Sequence, residues 1–180
     1  MHIYIALLRG INVSGKNKIK MIELKQLFLD IGFSEVNTYI QSGNVIFSTN
    51  QTNTLKIEQL ITTKIKEQFK YAVKVLILKK DELETAFNTS PFLNKTTFDL
   101  KKTCATFLDK IPTNEGILKV KELAAKNEIV LFKNKIAYLY CPNGLGSTKL
   151  TNKNIETKLK ISATSRNWNT VTRLVELSNK

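Results

Sequence analysis

Runs of apolar residues along the chain switch between strand-like and helix-like spacing, and their order predicts an architecture. Ile3 to Leu8 is a nearly continuous apolar run with β-branched and aromatic members, which predicts a strand buried on both faces. Leu24, Leu27, Phe28 and Ile31 fall at i, i+3, i+4 and i+7, one face of a helix, and Gly32 follows as a C-terminal cap. Val36 to Ser48 reads as two strands around a Gln41-Ser42-Gly43-Asn44 turn, because Gly and Asn tolerate the left-handed conformations of tight hairpins. Ile57, Leu60, Ile61 and Ile65 predict a second helix and Ala72 to Leu78 a fourth strand. The order βαββαβ is that of the split βαβ, or ferredoxin-like, unit, in which two helices cover one face of a four-stranded sheet.

The second half repeats the pattern. Lys80 to Asn88 reads as a linking helix that opens with Asp81 and Glu84 in a capping-box-like arrangement. A strand is expected at Thr103 to Leu108, a helix through Ile117, Val120 and Leu123, and a hairpin from Glu128 to Tyr140 that turns at Lys133-Asn134-Lys135. Asn152 to Lys160 predicts a helix, Ile161 to Ser165 a short strand and Asn169 to Leu177 a closing helix. The expected fold class is α+β: two tandem ferredoxin-like (α/β plait) halves with antiparallel sheets, over residues 1–79 and 80–180. Element order alone suggests the duplication, since the halves do not align in sequence.

Charge adds a class of partner. The 180 residues carry 28 Lys and Arg against 15 Asp and Glu, a formal charge of +13, which favours polyanions such as nucleic acid. The plain alternative is a solvated lysine-rich surface. Residues 1–90 hold 12 basic and 8 acidic side chains and residues 91–180 hold 16 and 7, so the second half is the more basic. Cys104 and Cys141 lie in apolar segments without metal-ligand spacing and read as reduced core residues. No apolar stretch approaches the ~20 residues of a membrane span and no basic leader precedes Ile3, so a cytoplasmic protein without a membrane partner is expected.

The chemistry-bearing stretch is Leu7 to Lys20. Gly10 and Gly15 can take positive φ and let the backbone approach an anion, while Arg9, Lys16, Lys18 and Lys20 supply positive charge. Gly10 to Lys16 fits G-x-x-x-x-G-K, but Asn17 stands where a phosphate-binding P-loop has the Ser or Thr that ligates magnesium. Lys18 to Lys20 also intervene before the helical face begins. Nucleotide hydrolysis is therefore disfavoured, whereas contact with a phosphate needs only the N–H groups and the lysines.

The same stretch carries a family likeness. Ala6 to Met21 and Thr38 to Val45 resemble the opening motifs of the bacterial family called domain of unknown function 1697. Lys149 to Lys153 and Ala163 to Val171 resemble its closing motifs, and Ser14 stands where the family commonly has Gly. The resemblance implies an α/β sandwich-like fold in a cytoplasmic protein, with no established activity.

Lys149 to Arg173 holds six basic residues against Glu156. Glu156 and Lys160 are spaced for an i, i+4 pair, the mark of a solvated helix. Arg166-Asn167-Trp168 invites two readings. An Asn or Thr among Asn167, Asn169 and Thr170 can cap the last helix and Trp168 can fill core; alternatively Arg166 and Trp168 form a clamp or stacking plane. Tyr138 and Tyr140 point to one sheet face, as in single-stranded RNA binders, although packing on the sister half explains them better. His2, the one histidine, stands at the chain start, where fraying argues against a general base.

The expected function is phosphate or polyanion binding, nucleic acid included, through loop 9–20 and segment 149–173, provided the two adjoin. The anion-binding residues would be Arg9, Gly10, Asn12, Gly15, Lys16, Asn17, Lys18, Ser42, Asn44, Lys149, Lys153, Arg166, Asn167 and Trp168. No cofactor and no metal is expected. The rivals are an enzyme or sensor for a small phosphorylated metabolite at the same loop, separated by a concave pocket, and a protein-binding scaffold, separated by an exposed apolar patch.

Overall fold

In the computed structural model, residues 1–13, 15–93 and 96–180 are described. The chain divides into two compact units, residues 1–84 with 174–180, and residues 85–173. Each contains a four-stranded antiparallel sheet, and six α-helices are present among the described residues.

The first unit runs β1 (His2–Arg9), α1 (Met21–Asp30), β2 (Ser34–Tyr39), β3 (Asn44–Thr49), α2 (Thr54–Phe69) and β4 (Lys74–Lys79). Its strands lie in the order β2-β3-β1-β4, so β1 is central and Tyr4 to Leu8 are buried, as an apolar run without alternation requires. Tyr4, Ala6 and Leu8 share a core with Leu24, Leu27 and Phe28 of α1 and Ile57, Ile61 and Ile65 of α2. Leu60, expected on the buried stripe of α2, is 39% exposed; one turn is 3.6 residues, and the stripe follows the i, i+4 spacing of the three isoleucines. Phe33 stacks on Phe47 with centroids 4.5 Å apart, and Phe28 meets Phe47 edge-on at 5.3 Å.

Gly32 ends α1 as expected. At φ +89° it lets Phe33 N–H reach Phe28 C=O (3.1 Å) while its own N–H reaches Leu29 C=O (3.0 Å), which satisfies carbonyls of the last turn. β4 begins at Lys74, two residues later than the apolar run suggested.

α3 (Lys80–Asn88) leads into the second series: β5 (Thr103–Leu108), α4 (Asn114–Lys121), β6 (Ile129–Lys133), β7 (Ile136–Tyr140), α5 (Asn152–Leu159), β8 (Ala163–Asn167) and α6 (Trp168–Ser178). The strand order β6-β7-β5-β8 matches that of the first sheet position for position. The capping carboxylate of α3 is Glu82, which accepts the Lys79 N–H at 2.8 Å; Glu84 instead lies beside Lys80, 3.9 Å away. A carboxylate at the third helical position reaches back to the cap, and one two residues on points away from it. β8 occupies residues 163–167 rather than 161–165 and passes directly into α6.

Tyr138 and Tyr140 do share a face, and Ala86, Thr89, Phe92 and Phe98 of their own unit pack against it. The Tyr138 hydroxyl donates to Ala86 C=O at 2.9 Å and lies 3.1 Å from Thr89 Oγ1, while Phe98 packs edge-on against Tyr140. Tyr138, 1% exposed, is core, and the half-buried Tyr140 ring is packed against Phe92 and Phe98 rather than standing free as a platform for bases.

Candidate functional site

Loop 9–20 is built from its asparagines outward. Gly10, at φ +72°, turns the chain out of β1, and Ile11 is driven into the core beside the β2–β3 turn. Asn12 Nδ2 donates to Ile19 C=O and to Gln41 C=O, both at 2.9 Å, and Oδ1 accepts the Ile19 N–H at 2.9 Å. Asn17 Nδ2 donates to Gly10 C=O at 2.9 Å, and Asn12 N–H donates to Asn17 C=O at 3.1 Å. Both asparagines have positive φ, which a short polar side chain that bonds locally tolerates. A tight Val13–Lys16 bridge, with Gly15 at φ +76°, forms the tip. Ser14, named above for the family's usual Gly, lies outside the described residues.

Two of the expected anion ligands are thus scaffold. The Asn12 amide spends both protons on backbone carbonyls, and Asn17 holds the loop's two arms together. What the loop presents is Gly10, Gly15, Lys16 and Lys18, all exposed, with Arg9 half-buried at its root. Lys20 is exposed and lies 3.5 Å from Glu23. α1 begins only at Met21, five residues beyond Lys16, so the helix N-terminus does not stand behind the lysine as a P-loop requires.

The turn at 40–43 supports this loop. Gly43, at φ +79°, accepts the Leu8 N–H at 2.8 Å, and a Cβ there would lie 2.6 Å from Ile11 Cδ1 and 2.8 Å from Leu8 Cβ. Asn44 is fully buried; its Nδ2 donates to Tyr39 C=O (3.0 Å) and Ser42 Oγ (3.2 Å). Ser42 and Asn44, read from sequence as anion ligands, therefore hold the turn.

Segment 149–173 lies in the second unit. Lys149 and Lys153 are exposed. Thr151 caps α5 by accepting the Asn154 N–H at 3.2 Å, and the Glu156 carboxylate accepts the Ala163 N–H at 3.0 Å where β8 begins. Arg166 is buried; Nη1 donates to Ser165 C=O at 3.0 Å, and burial pulls its pKa down to about 10, still cationic at neutral pH. Asn167 caps α6 by accepting the Thr170 N–H at 2.8 Å. Trp168, 2% exposed, stacks on Phe87 at 5.6 Å with the rings 13° from parallel. The clamp expected of Arg166 and Trp168 is therefore withdrawn inside the fold, and the exposed cations of the segment are lysines.

His2 is not frayed: it pairs with Thr49 in the β1–β3 ladder. It lines a cleft of about 450 Å³ with Thr52, Lys79, Lys80, Asp81 and Glu84. That cleft sits where β1 begins, whereas loop 9–20 leaves the strand's other end, and the sequence pattern gave no sign of it because its lining comes from three separate segments. Cys104 and Cys141 are buried free thiols; burial and the neighbouring Cys141 push Cys104 up to about 12. Among the described residues no cluster of His, Cys, Asp and Glu is arranged to hold a metal ion.

The model of the family described as "Protein of unknown function (DUF1697)" matches residues 1–138. This chain belongs to that family. The matched DUF1697 stretch contains the loop and the 40–43 turn, while the closing motifs at 149–171 lie beyond it. A solved structure of a conserved bacterial protein from Streptococcus pneumoniae superposes with a TM-score of 0.77 over 98% of both chains, at 24% identity, which shows a shared fold. No curated protein matches the chain. No helix among the described residues is long and apolar enough to cross a membrane.

Proposed function

We propose that this DUF1697 protein binds phosphate-bearing polyanions, nucleic-acid backbone among them, through loop 9–20. The observation that carries this reading is that side-chain amides fix the loop's shape while Lys16 and Lys18 stand exposed around two positive-φ glycines. A preformed loop loses little conformational entropy when it meets an anion. In this role Arg9, Lys16 and Lys18 supply charge, Gly10 and Gly15 allow close approach, and Asn12, Asn17, Ser42 and Asn44 position the backbone. Lys149 and Lys153 are exposed cations of the second unit that can take part in the same role.

We also read each half as a ferredoxin-like plait, the pair as an internal duplication and the protein as cytoplasmic. Matching βαββαβ order and matching strand order support the first two readings. Reduced, buried cysteines favour the third.

The test combines two measurements on the full chain: fluorescent oligonucleotide binding across a salt series, and thermal shift with nucleotides and sugar phosphates. Oligonucleotide affinity that falls with salt and drops in Lys16→Ala/Lys18→Ala supports the reading. A melting temperature raised by one small phosphate compound, with no oligonucleotide binding, replaces it with a metabolite site. Silence in both assays removes it.

A further inference from the structure

The end of the second sheet gathers four lysines that are scattered in sequence. β6 ends at Lys133, Lys135 precedes β7, Lys110 follows β5 and Lys160 precedes β8. Because the strands lie in the order β6-β7-β5-β8, these residues form a row in the order Lys133, Lys135, Lys110, Lys160. Backbone bonds join the connections that carry them. Leu108 N–H donates to Lys135 C=O at 2.8 Å and Asp109 N–H to Ser162 C=O at 3.1 Å. With neighbouring strands about 4.8 Å apart, the row spans about 14 Å.

All four are exposed, and the acids nearest them in the chain are committed. Asp109 Oδ1 accepts the Ser162 N–H (3.0 Å), Glu156 accepts the Ala163 N–H (3.0 Å) and Glu115 is paired with Lys119. Lys20, Lys64, Lys80 and Lys119 each sit beside a glutamate three or four residues away. Among the described residues none of the four rim lysines has such a partner. Like charges placed side by side repel, and an external anion relieves that repulsion.

We propose that this rim is a second anion site, taking the phosphate backbone of a single-stranded nucleic acid. Four cations in a row can meet up to four successive phosphates of such a strand. Ile111, 68% exposed beside Lys110, gives an unstacked base an apolar surface. The site stands independently of loop 9–20.

Anisotropy of a labelled short oligo-dT, titrated across a salt series with the full chain, tests it. Replacing Lys110, Lys133, Lys135 and Lys160 by Ala is expected to flatten the slope of log K against log salt by about 2 to 3 and to lower affinity at least about tenfold at low salt. A control with Lys56, Lys66, Lys121 and Lys126 replaced by Ala removes equal charge without touching the row and keeps the slope. Melting temperatures of both variants stay at the parent value, because all eight lysines are exposed. Equal slopes in parent and rim variant, equal losses in rim variant and control, or no binding by the parent each overturn the proposal. A slope lost in the rim variant and kept in Lys16→Ala/Lys18→Ala upholds the rim while refuting the loop reading, and the opposite result refutes the rim.

Discussion

The connection from β1 to α1 runs over residues 10–20, and its counterpart from β5 to α4 over residues 109–113. Both leave the central strand of the same sheet topology, and near the end of each strand an equivalent bond reaches the neighbouring hairpin, Leu8 N–H to Gly43 C=O and Leu108 N–H to Lys135 C=O, each 2.8 Å; the long connection adds Asn12 Nδ2 to Gln41 C=O. The short connection uses a helix cap: Thr113 Oγ1 accepts the Gly116 N–H at 3.1 Å. The long one has no capping side chain at Lys20 and relies on Asn12 and Asn17. One topology thus presents cations in two ways, on a braced loop in the first half and directly on strand ends in the second. Aromatic residues differ as well. Tyr4, Phe28, Phe33 and Phe47 fill the helix-side core of the first half, whereas the helix-side core of the second holds Cys104, Leu108, Val120 and Leu139 with Phe132 half-buried against it, and Tyr138 and Tyr140 lie on the opposite face with Phe92 and Phe98.

That difference sets the expected cost of mutation. Trp168→Ala should cost the most, about 3–5 kcal/mol in urea unfolding, because it leaves a cavity against Phe87 on the aromatic face of the second half. Gly43→Ala should cost about 2–3 kcal/mol, since the new Cβ strikes Ile11 and Leu8 at a positive φ, while Lys135→Ala at the counterpart position should stay within about 0.5 kcal/mol. Equal effects at 43 and 135 would show that the loop does not bear on the turn. Asn12→Ala should cost about 2 kcal/mol and speed amide exchange in residues 15–20, because it strands the buried Ile19 N–H. Thr113→Ala should cost about 1 kcal/mol and leave that exchange unchanged.

A further effect is an alkaline one in the second half, which holds both cysteines. Burial, helped by Cys141, raises Cys104 from 9.0 to about 12, so the native state keeps a proton that the unfolded chain sheds. Its stabilisation is complete below pH 9 and is lost as pH rises toward 12. Arg166, lowered from 12.5 to about 10 by burial, acts in the opposite sense only above pH 10. Burial raises Cys141 as well, so comparing urea midpoints at pH 8 and 10 reads both thiols, and Cys104→Ala should narrow the difference between them.

Much of this fold was legible because its signals are local. The apolar runs of β1 and β5, the Ile57-Ile61-Ile65 stripe and the cap at Gly32 each depend on a few neighbouring residues. Of the candidate loop, the sequence made only the exposed lysines legible. Asn12, Asn17, Ser42 and Asn44 looked like polar ligands, but their partners are carbonyls and a hydroxyl whose positions depend on the folded turn. Trp168 looked available beside Arg166 until Phe87, far away in sequence, closed over its ring.

By itself the sequence determined which segments became strands and helices, where glycine and asparagine turned the chain, and that the protein carries a large positive charge. Those properties follow from periodicity, backbone sterics and composition, which need no distant partner. Only the tertiary structure decided which polar side chains are scaffold and which face outward. Only it brought Lys110, Lys133, Lys135 and Lys160 into one row, because a sheet aligns the ends of strands whatever their separation along the chain.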